Sequence, residues 1–591
     1  MQTWMQTSVD NGSNDTDHTS IWKLAVRSEN LRYGCIAIVF ALLFGSGFSR
    51  CRDCVGDGDW DYFVAQSLAA RRSVLEFGQL PLWNPFQCGG MPLAGNFQSR
   101  VFSPSFLGVL ALGPIVGTRI MALLLLALGF EGSRRLARAL GAGPWGALFV
   151  AFAFAGNGNL ILHLSAGHLG LAAFALAPWL LIGVRIAATD LRRGICVGGL
   201  WGAFIFAESG LFPLLMLALL CGAWIGAWCV STRSLRPAVG LLAIGAAIPL
   251  LCFASFLPAT LFMVENTRAS VPTETIPFTA LYEVLFALQQ TIDGRPRFAG
   301  QSHWWHEYGT YIGPIFCVLL VMGLWHGRRG AMGWFALGTF FVLLALGDFA
   351  PYSPWSLLHR LPVFASIRSS ARAFLPAIFC FALAAAPGLE RFRRVTPVMV
   401  GLFAINLGVV LIAVPHPVFH RSSNLSISDD VFTQRSDSRH RGSMRREHYT
   451  ELSVDVAANR GNLVCYDPNS PQIFARPRFP SLPEAELVLS PTAARSAETT
   501  DWSPNAVEIK IPRLNEPALL VLNQNYASGW TVDDGRQLRP FHGLISTLAT
   551  PDDESIRLVY RPTATYLAIV VNLLALMALV RYCWRPGVKA T

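Results

Sequence analysis

Long apolar stretches alternate with polar connections along most of the chain. The apolar runs fall near residues 33–48, 104–129, 144–157, 169–188, 194–208, 210–230, 238–262, 309–325, 331–347, 371–388, 396–414 and 564–580. A helix needs roughly 20 apolar residues to cross a hydrocarbon core, and tilt or thinning accommodates shorter ones. The pattern therefore predicts an α-helical polytopic membrane protein with about twelve transmembrane helices. If the first residues are cytoplasmic, every second connection should be enriched in Lys and Arg. Those connections carry Arg134, Arg135 and Arg138; Arg192 and Arg193; Arg233 and Arg236; Arg328 and Arg329; Arg391, Arg393 and Arg394; and, after the last run, Arg581, Arg585 and Lys589. Both termini are then cytoplasmic, and three long segments, 49–103, 263–308 and 416–562, face the opposite side.

The periodicity changes after residue 416. A polar stretch is followed by short alternating segments: Val507, Ile509 and Ile511; the run Ala518 to Leu522; Thr531 and Val532 before the turn Asp533-Asp534-Gly535; and Ile556, Leu558 and Tyr560. Period-two alternation with turn signals predicts strands, and the reading is a β-sandwich. The expected organisation is a polar tail (1–30), a transmembrane module (31–415), an extracytoplasmic, mainly β domain (416–562), and a final helix with a cytoplasmic tail (563–591).

Composition agrees with lipid as the main solvent, since 52% of residues are hydrophobic, only 14% are charged, and mean hydropathy is +0.41. The net charge of +10 is scattered in small clusters without a basic stripe, so it reads as topology and not as a nucleic-acid surface. The first apolar run lacks a small-residue cleavage site before Arg50 and reads as a signal anchor in a bacterial inner membrane. Most of the twelve cysteines lie in apolar runs; Cys51, Cys54, Cys88 and Cys465 lie in polar segments. Cys51 and Cys54 lack the second pair that zinc requires and read as a structural disulfide.

The densest chemistry lies in the first long loop. Asp57, Asp59 and Asp61 alternate, so an extended backbone aligns all three carboxylates, whereas a helix aligns only Asp57 with Asp61. Such acids can bind a divalent cation, magnesium or manganese, or supply a general base. Asp59 also stands where the N-cap of a helix from about Trp60 to Phe77 would stand. The run Pro81-Leu82-Trp83-Asn84-Pro85 and the turn Gly89-Gly90-Met91-Pro92 set a rigid aromatic surface that can seat a sugar or brace the loop.

Several stretches resemble the bacterial YfhO-type membrane proteins, which are related to the GT-C glycosyltransferases. They are Asp59 to Tyr62, Gly78 to Pro85, Gly89 to Leu93, and Gln98 with Phe102-Ser103-Pro104 in the first loop; Tyr308 to Gly313; Ile367 to Phe374 before a helix ending Gly388-Leu389-Glu390; and Asn525 to Trp530 leading to Asp534-Gly535 and Tyr560-Arg561-Pro562. The resemblance implies a GT-C-like fold and sugar transfer from a polyprenyl-phosphate donor to an envelope glycan, lipid or protein acceptor, with an essential acid in the first loop. Asp59 and Asp61 match that position best, although three alternating acids leave the base unassigned between them. Arg368 and Arg372, spaced i and i+4, and Arg268 can hold the lipid phosphate; headgroup binding or a structural ion pair is the alternative. Trp60, Trp83, Asn84, Gln98, His303, His306 and Glu307 complete the expected substrate site.

His163 and His168 are five apart, which is not a clean same-face spacing, and read as structural polar contacts. No P-loop, dinucleotide fingerprint or serine-hydrolase elbow stands in a suitable context. A lipid or glycan transporter and a non-catalytic glycan-binding protein are the competing classes. Transporters usually carry intramembrane charges, and Glu208 is the one clear acid near a helix core.

Overall fold

The computed structural model describes residues 18–49, 54–56, 59–266, 273–291, 294–298, 301, 303–326, 329–413, 425, 427–428, 432–434, 452–463, 465, 475, 484–490 and 493–584. Asp57, Arg268 and Cys51 lie outside them.

The chain is a polytopic helical membrane protein, but its apolar runs do not all become full-length spans. Among the described residues six helices are long and apolar enough to cross: Pro114–Ala139, Pro144–Ala166, Leu169–Ala187, Leu211–Thr232, Trp305–Trp325 and Thr563–Cys583. A seventh crossing is broken, because Arg236–Leu251 and Phe253–Glu265 meet at 84°. Pro249 and Pro258 lie inside these two helices, and proline removes a backbone donor and clashes with the preceding turn. Asn572 of the last helix meets the break, donating Nδ2 to the Leu251 carbonyl at 2.8 Å and accepting from the Ala254 amide at 3.3 Å. A side chain from a neighbouring helix thus satisfies backbone groups that lipid could not. Four shorter apolar helices of 10–17 residues, Leu31–Phe44, Gly330–Ala345, Ala371–Ala385 and Thr396–Leu411, stand beside them.

The expected single run 104–129 is divided. Ser105–Leu112 ends at Gly113, whose φ of +85° turns the chain into Pro114–Ala139. The two helices then pack so closely that a Cβ on Gly117 would sit 2.6 Å from the Gly108 carbonyl oxygen. A disulfide between Cys196 and Cys583 ties the last helix to the segment Ile195–Gly199.

Within the second domain, residues 485–560 form one continuous antiparallel sheet in place of the two facing sheets of the expected sandwich. Its strands are β1 (Ala485–Ser490), β2 (Ala493–Ser503), β3 (Ala506–Lys510), β4 (Ala518–Asn525), β5 (Trp530–Val532), β6 (Arg539–Phe541), β7 (Leu544–Ala549) and β8 (Ser555–Tyr560), in the order β6-β7-β4-β1-β2-β3-β8-β5. The long strand β2 pairs with β1 through its first half and with β3 through its second, with a register shift between Thr499 and Asp501. Such irregularities bend a strand and increase its twist, so the sheet curls and both halves face one core. Leu487, Leu520, Leu522 and Ile545 from one half bury against Val507, Ile509, Ile556 and Leu558 from the other. Val507 faces Leu558 and Ile509 faces Ile556 across the β3–β8 ladder, as their alternation requires.

The first long loop lies between these bodies. Trp60, Phe63, Leu68 and Phe86 belong to the core of the membrane helices, whereas Leu82, Trp83 and Ala94 belong to the core of the sheet.

Candidate functional site

Asp59 opens the loop helix Asp59–Leu75. The start of this helix is seated by Trp60, fully buried, whose indole donates to the Ser165 carbonyl at 3.1 Å. Beneath it, helix Gly158–Ala166 begins at Asn157, whose side chain accepts from the Leu160 amide, and ends at Gly167 in the left-handed conformation with φ +89°. Glycine is needed there on two counts. The φ suits it, and a Cβ would lie 2.6 Å from the Trp60 nitrogen.

That turn brings together the histidines that straight helical spacing would separate. The His168 amide bonds back to the His163 carbonyl at 2.9 Å, the closure of a glycine-terminated helix. The two imidazoles then meet Nδ1 to Nδ1 at 2.6 Å. His168 Nε2 lies 3.1 Å from the Asp59 carboxylate, which keeps 22% of its side-chain surface exposed. His163 Nε2 points to Glu307 at 3.7 Å, with both side chains fully buried. Glu307 accepts two bonds from Arg372, Nε to Oε2 at 2.8 Å and Nη2 to Oε1 at 2.5 Å, the fork geometry that makes such pairs strong. The resulting chain, Asp59, His168, His163, Glu307 and Arg372, crosses four separate parts of the sequence. His306 closes it from the side, with its ring centroid 5.1 Å from that of His168. Burial holds the His168 imidazole down at about 4, so it is neutral at neutral pH.

A second acid extends the site, and sequence reasoning missed it. Glu274 is buried and accepts from the Tyr308 hydroxyl at 2.6 Å and the Ser369 hydroxyl at 2.8 Å. His303 Nε2 lies 3.9 Å away from it. The only signal was that Tyr308 and Ser369 both fall in stretches quoted above for their resemblance.

The remaining expected residues are distributed. Asp61 is fully buried and bonds residues 452 and 453; Asp59 and Asp61, two apart on a helix, point to nearly opposite sides. Arg368 is exposed and precedes the helical residues that begin at Ala371, so the expected i, i+4 pair with Arg372 is not formed on one helix. Trp83 is buried against the sheet, donating Nε1 to Gln524 at 2.8 Å and packing edge-on to Trp530. Asn84 is buried in its own turn, accepting from the Phe86 amide at 3.1 Å. Gln98 lies by Ser209, whose hydroxyl donates to the Gln98 carbonyl at 2.7 Å. Next to Ser209, Glu208 is buried and pairs with Arg100 at 3.7 Å.

His163, His168 and Glu307 bring one ligand atom each within 4.8 Å of one another and can hold a metal ion. An imidazole-rich set suits zinc better than magnesium or manganese. The orphaned, buried Nε2 of His163 is open to a metal, but both Glu307 oxygens already accept from Arg372, so a cation there competes with the guanidinium.

No protein-family model and no curated protein matches the chain. Among solved structures it is similar to the cryo-EM structure of the arabinofuranosyltransferase AftD from Mycobacteria, at 18% identity and a TM-score of 0.41, over 66% of this chain and 27% of that one. A mutant of the same enzyme gives 17% identity and a TM-score of 0.37 over 65% and 27%. The chain thus matches only about a quarter of the mycobacterial protein's length.

Proposed function

We propose that this protein transfers a sugar from a polyprenyl-phosphate donor to a cell-envelope acceptor, with Asp59 as the general base. The observation that carries the reading is a partly exposed carboxylate 3.1 Å from the His168 imidazole at the end of the membrane helices, backed by a buried His–Glu–Arg network. Buried ionisable groups are costly and cluster at functional sites. In the reaction, Asp59 takes the acceptor hydroxyl proton, the new glycosidic bond forms at the anomeric carbon, and the bond from that carbon to the lipid phosphate breaks. His168 fixes the orientation of Asp59. The leaving phosphate gains a negative charge, and the exposed Arg368 supplies positive charge near it. His303 and His306, both partly exposed, flank the acceptor side, with buried Glu307 and Trp60 as the support beneath.

The same reading places the site on the extracytoplasmic face, with about twelve crossings and both termini cytoplasmic, as the alternation of arginine clusters supports. A metal at His163, His168 and Glu307 would supply Lewis-acid stabilisation beside Asp59. The test is turnover: purified protein in nanodiscs, given a radiolabelled polyprenyl-phosphate sugar and an envelope glycan fraction, should move label to the acceptor. Passage of intact donor across the bilayer without cleavage would replace transfer with transport.

A further inference from the structure

We infer that residues 452–463, together with Cys465, form a clamp that sets the position of Asp59, and that Asp61 is a positioning residue and not a base; this rests on the transfer reaction proposed above. The loop helix and the short helix Leu452–Ala457 are pinned to each other at both ends. At one end the Asp61 carboxylate accepts from the Leu452 amide at 2.9 Å, the Ser453 amide at 3.2 Å and the Ser453 hydroxyl at 2.5 Å. These are the amides that a helix start leaves without intrahelical partners. At the other end Arg72 Nη1 donates to the Val456 carbonyl at 2.7 Å and to the Asn459 side chain at 3.3 Å. An acid thus meets the positive end of the short helix and a cation the negative end.

The clamp continues along the loop. The Asn462 amide donates to the Phe86 carbonyl at 2.9 Å, the Gly89 amide donates to the Asn462 carbonyl at 3.2 Å, and a disulfide joins Cys88 to Cys465. Within the segment, Asp455 accepts from Asn462 at 2.8 Å and pairs with Arg460 at 3.3 Å.

Asp61 has no exposed surface, so no acceptor hydroxyl reaches it. Asp59 stands two residues away on the same helix, pressed against the Gly167 turn that carries His168. Rotation or sliding of the helix start is resisted on one side by the three bonds to Asp61 and on the other by the close contact with Gly167. Loss of the first restraint lets the Asp59 carboxylate drift from His168, and a misplacement of about 1 Å at a reacting group can cost on the order of 10²-fold in rate.

The experiment compares Asp61→Asn, Asp61→Ala and Ser453→Ala in the full-length protein in nanodiscs, by steady-state kinetics and by hydrogen exchange of residues 59–66. Asn retains one acceptor oxygen, enough for the Ser453 amide and hydroxyl, and turns its NH2 toward the Leu452 amide, so Asp61→Asn should lower kcat less than Asp61→Ala. Asp61→Ala should lower kcat by on the order of 10² with donor KM unchanged, and should speed exchange across 59–66. Ser453→Ala, the milder change, should show the same two effects to a smaller extent. Equal loss in Asp61→Asn and Asp61→Ala with unaltered exchange would make Asp61 chemical and overturn the inference. Unaltered exchange in both Asp61→Ala and Ser453→Ala would overturn it too. The exchange measurement stands even if the wild-type protein transfers no sugar, so failure of the clamp and failure of the reaction are told apart.

Discussion

Replacing Arg372 by methionine strands a buried carboxylate. Glu307 has no exposed surface, both its oxygens accept from Arg372, and His163 is 3.7 Å away. Breaking a buried pair by removing one partner costs about 3–5 kcal/mol, whereas an exposed pair is worth about 0–1. The Arg372 side chain keeps 20% of its surface, which places the expected cost of Arg372→Met near the lower bound, about 3 kcal/mol. Glu307→Gln alone leaves the guanidinium without its anion. The double variant removes both charges, and replacing a whole buried pair is often neutral, so it should return to within about 1 kcal/mol of wild type. The assay is equilibrium denaturation of the detergent-solubilised protein followed by tryptophan fluorescence, taken as a double-mutant cycle. If Arg372→Met costs less than about 1 kcal/mol, the value for an exposed pair, or if the double variant loses the sum of both single changes, the pair is not the coupled, desolvated unit described here.

Three further outcomes are expected. Burial raises the Asp61 carboxyl from 3.8 to about 7, so the folded chain holds a proton that the unfolded chain releases across that interval; stability should fall as pH rises from about 4 to about 7, and Asp61→Asn should flatten the slope in pH-dependent melting. Cys88→Ser with Cys465→Ser opens the covalent link between residues 377 apart and should lower stability by about 2–4 kcal/mol, seen as faster limited proteolysis within 452–463; unchanged cleavage would show that the hydrogen bonds suffice. Zinc titrated into Arg372→Met by calorimetry should bind more tightly than to wild type, because Glu307 is then free to ligate; equal affinities would mean the guanidinium does not compete for it.

The local signals in the sequence carried far. Alternation at Val507, Ile509 and Ile511 and at Ile556, Leu558 and Tyr560 marks strands whose apolar side is buried in the structure, and the loop helix runs Asp59–Leu75 where Trp60 to Phe77 was expected. What periodicity could not show is where distant elements meet. The register shift in β2 turns two expected sheets into one curled sheet, and nothing in its residue pattern announces it. A five-residue gap does not align His163 with His168 on a straight helix; Gly167 between them makes the left-handed turn that brings their rings together. Asp61 reads as a candidate base beside Asp59, but its partners are 391 and 392 residues away. Glu274 likewise acquires meaning only through Tyr308 and Ser369.

If Asp59 is the base, the single-turnover transfer rate of Asp59→Asn must differ from wild type, measured with saturating polyprenyl-phosphate sugar and with matched folding checked by melting temperature. The substitution keeps the shape and removes the basic oxygen, so the rate should fall by on the order of 10² to 10⁴ with unchanged donor affinity. Transfer by Asp59→Asn at the wild-type rate would contradict that role.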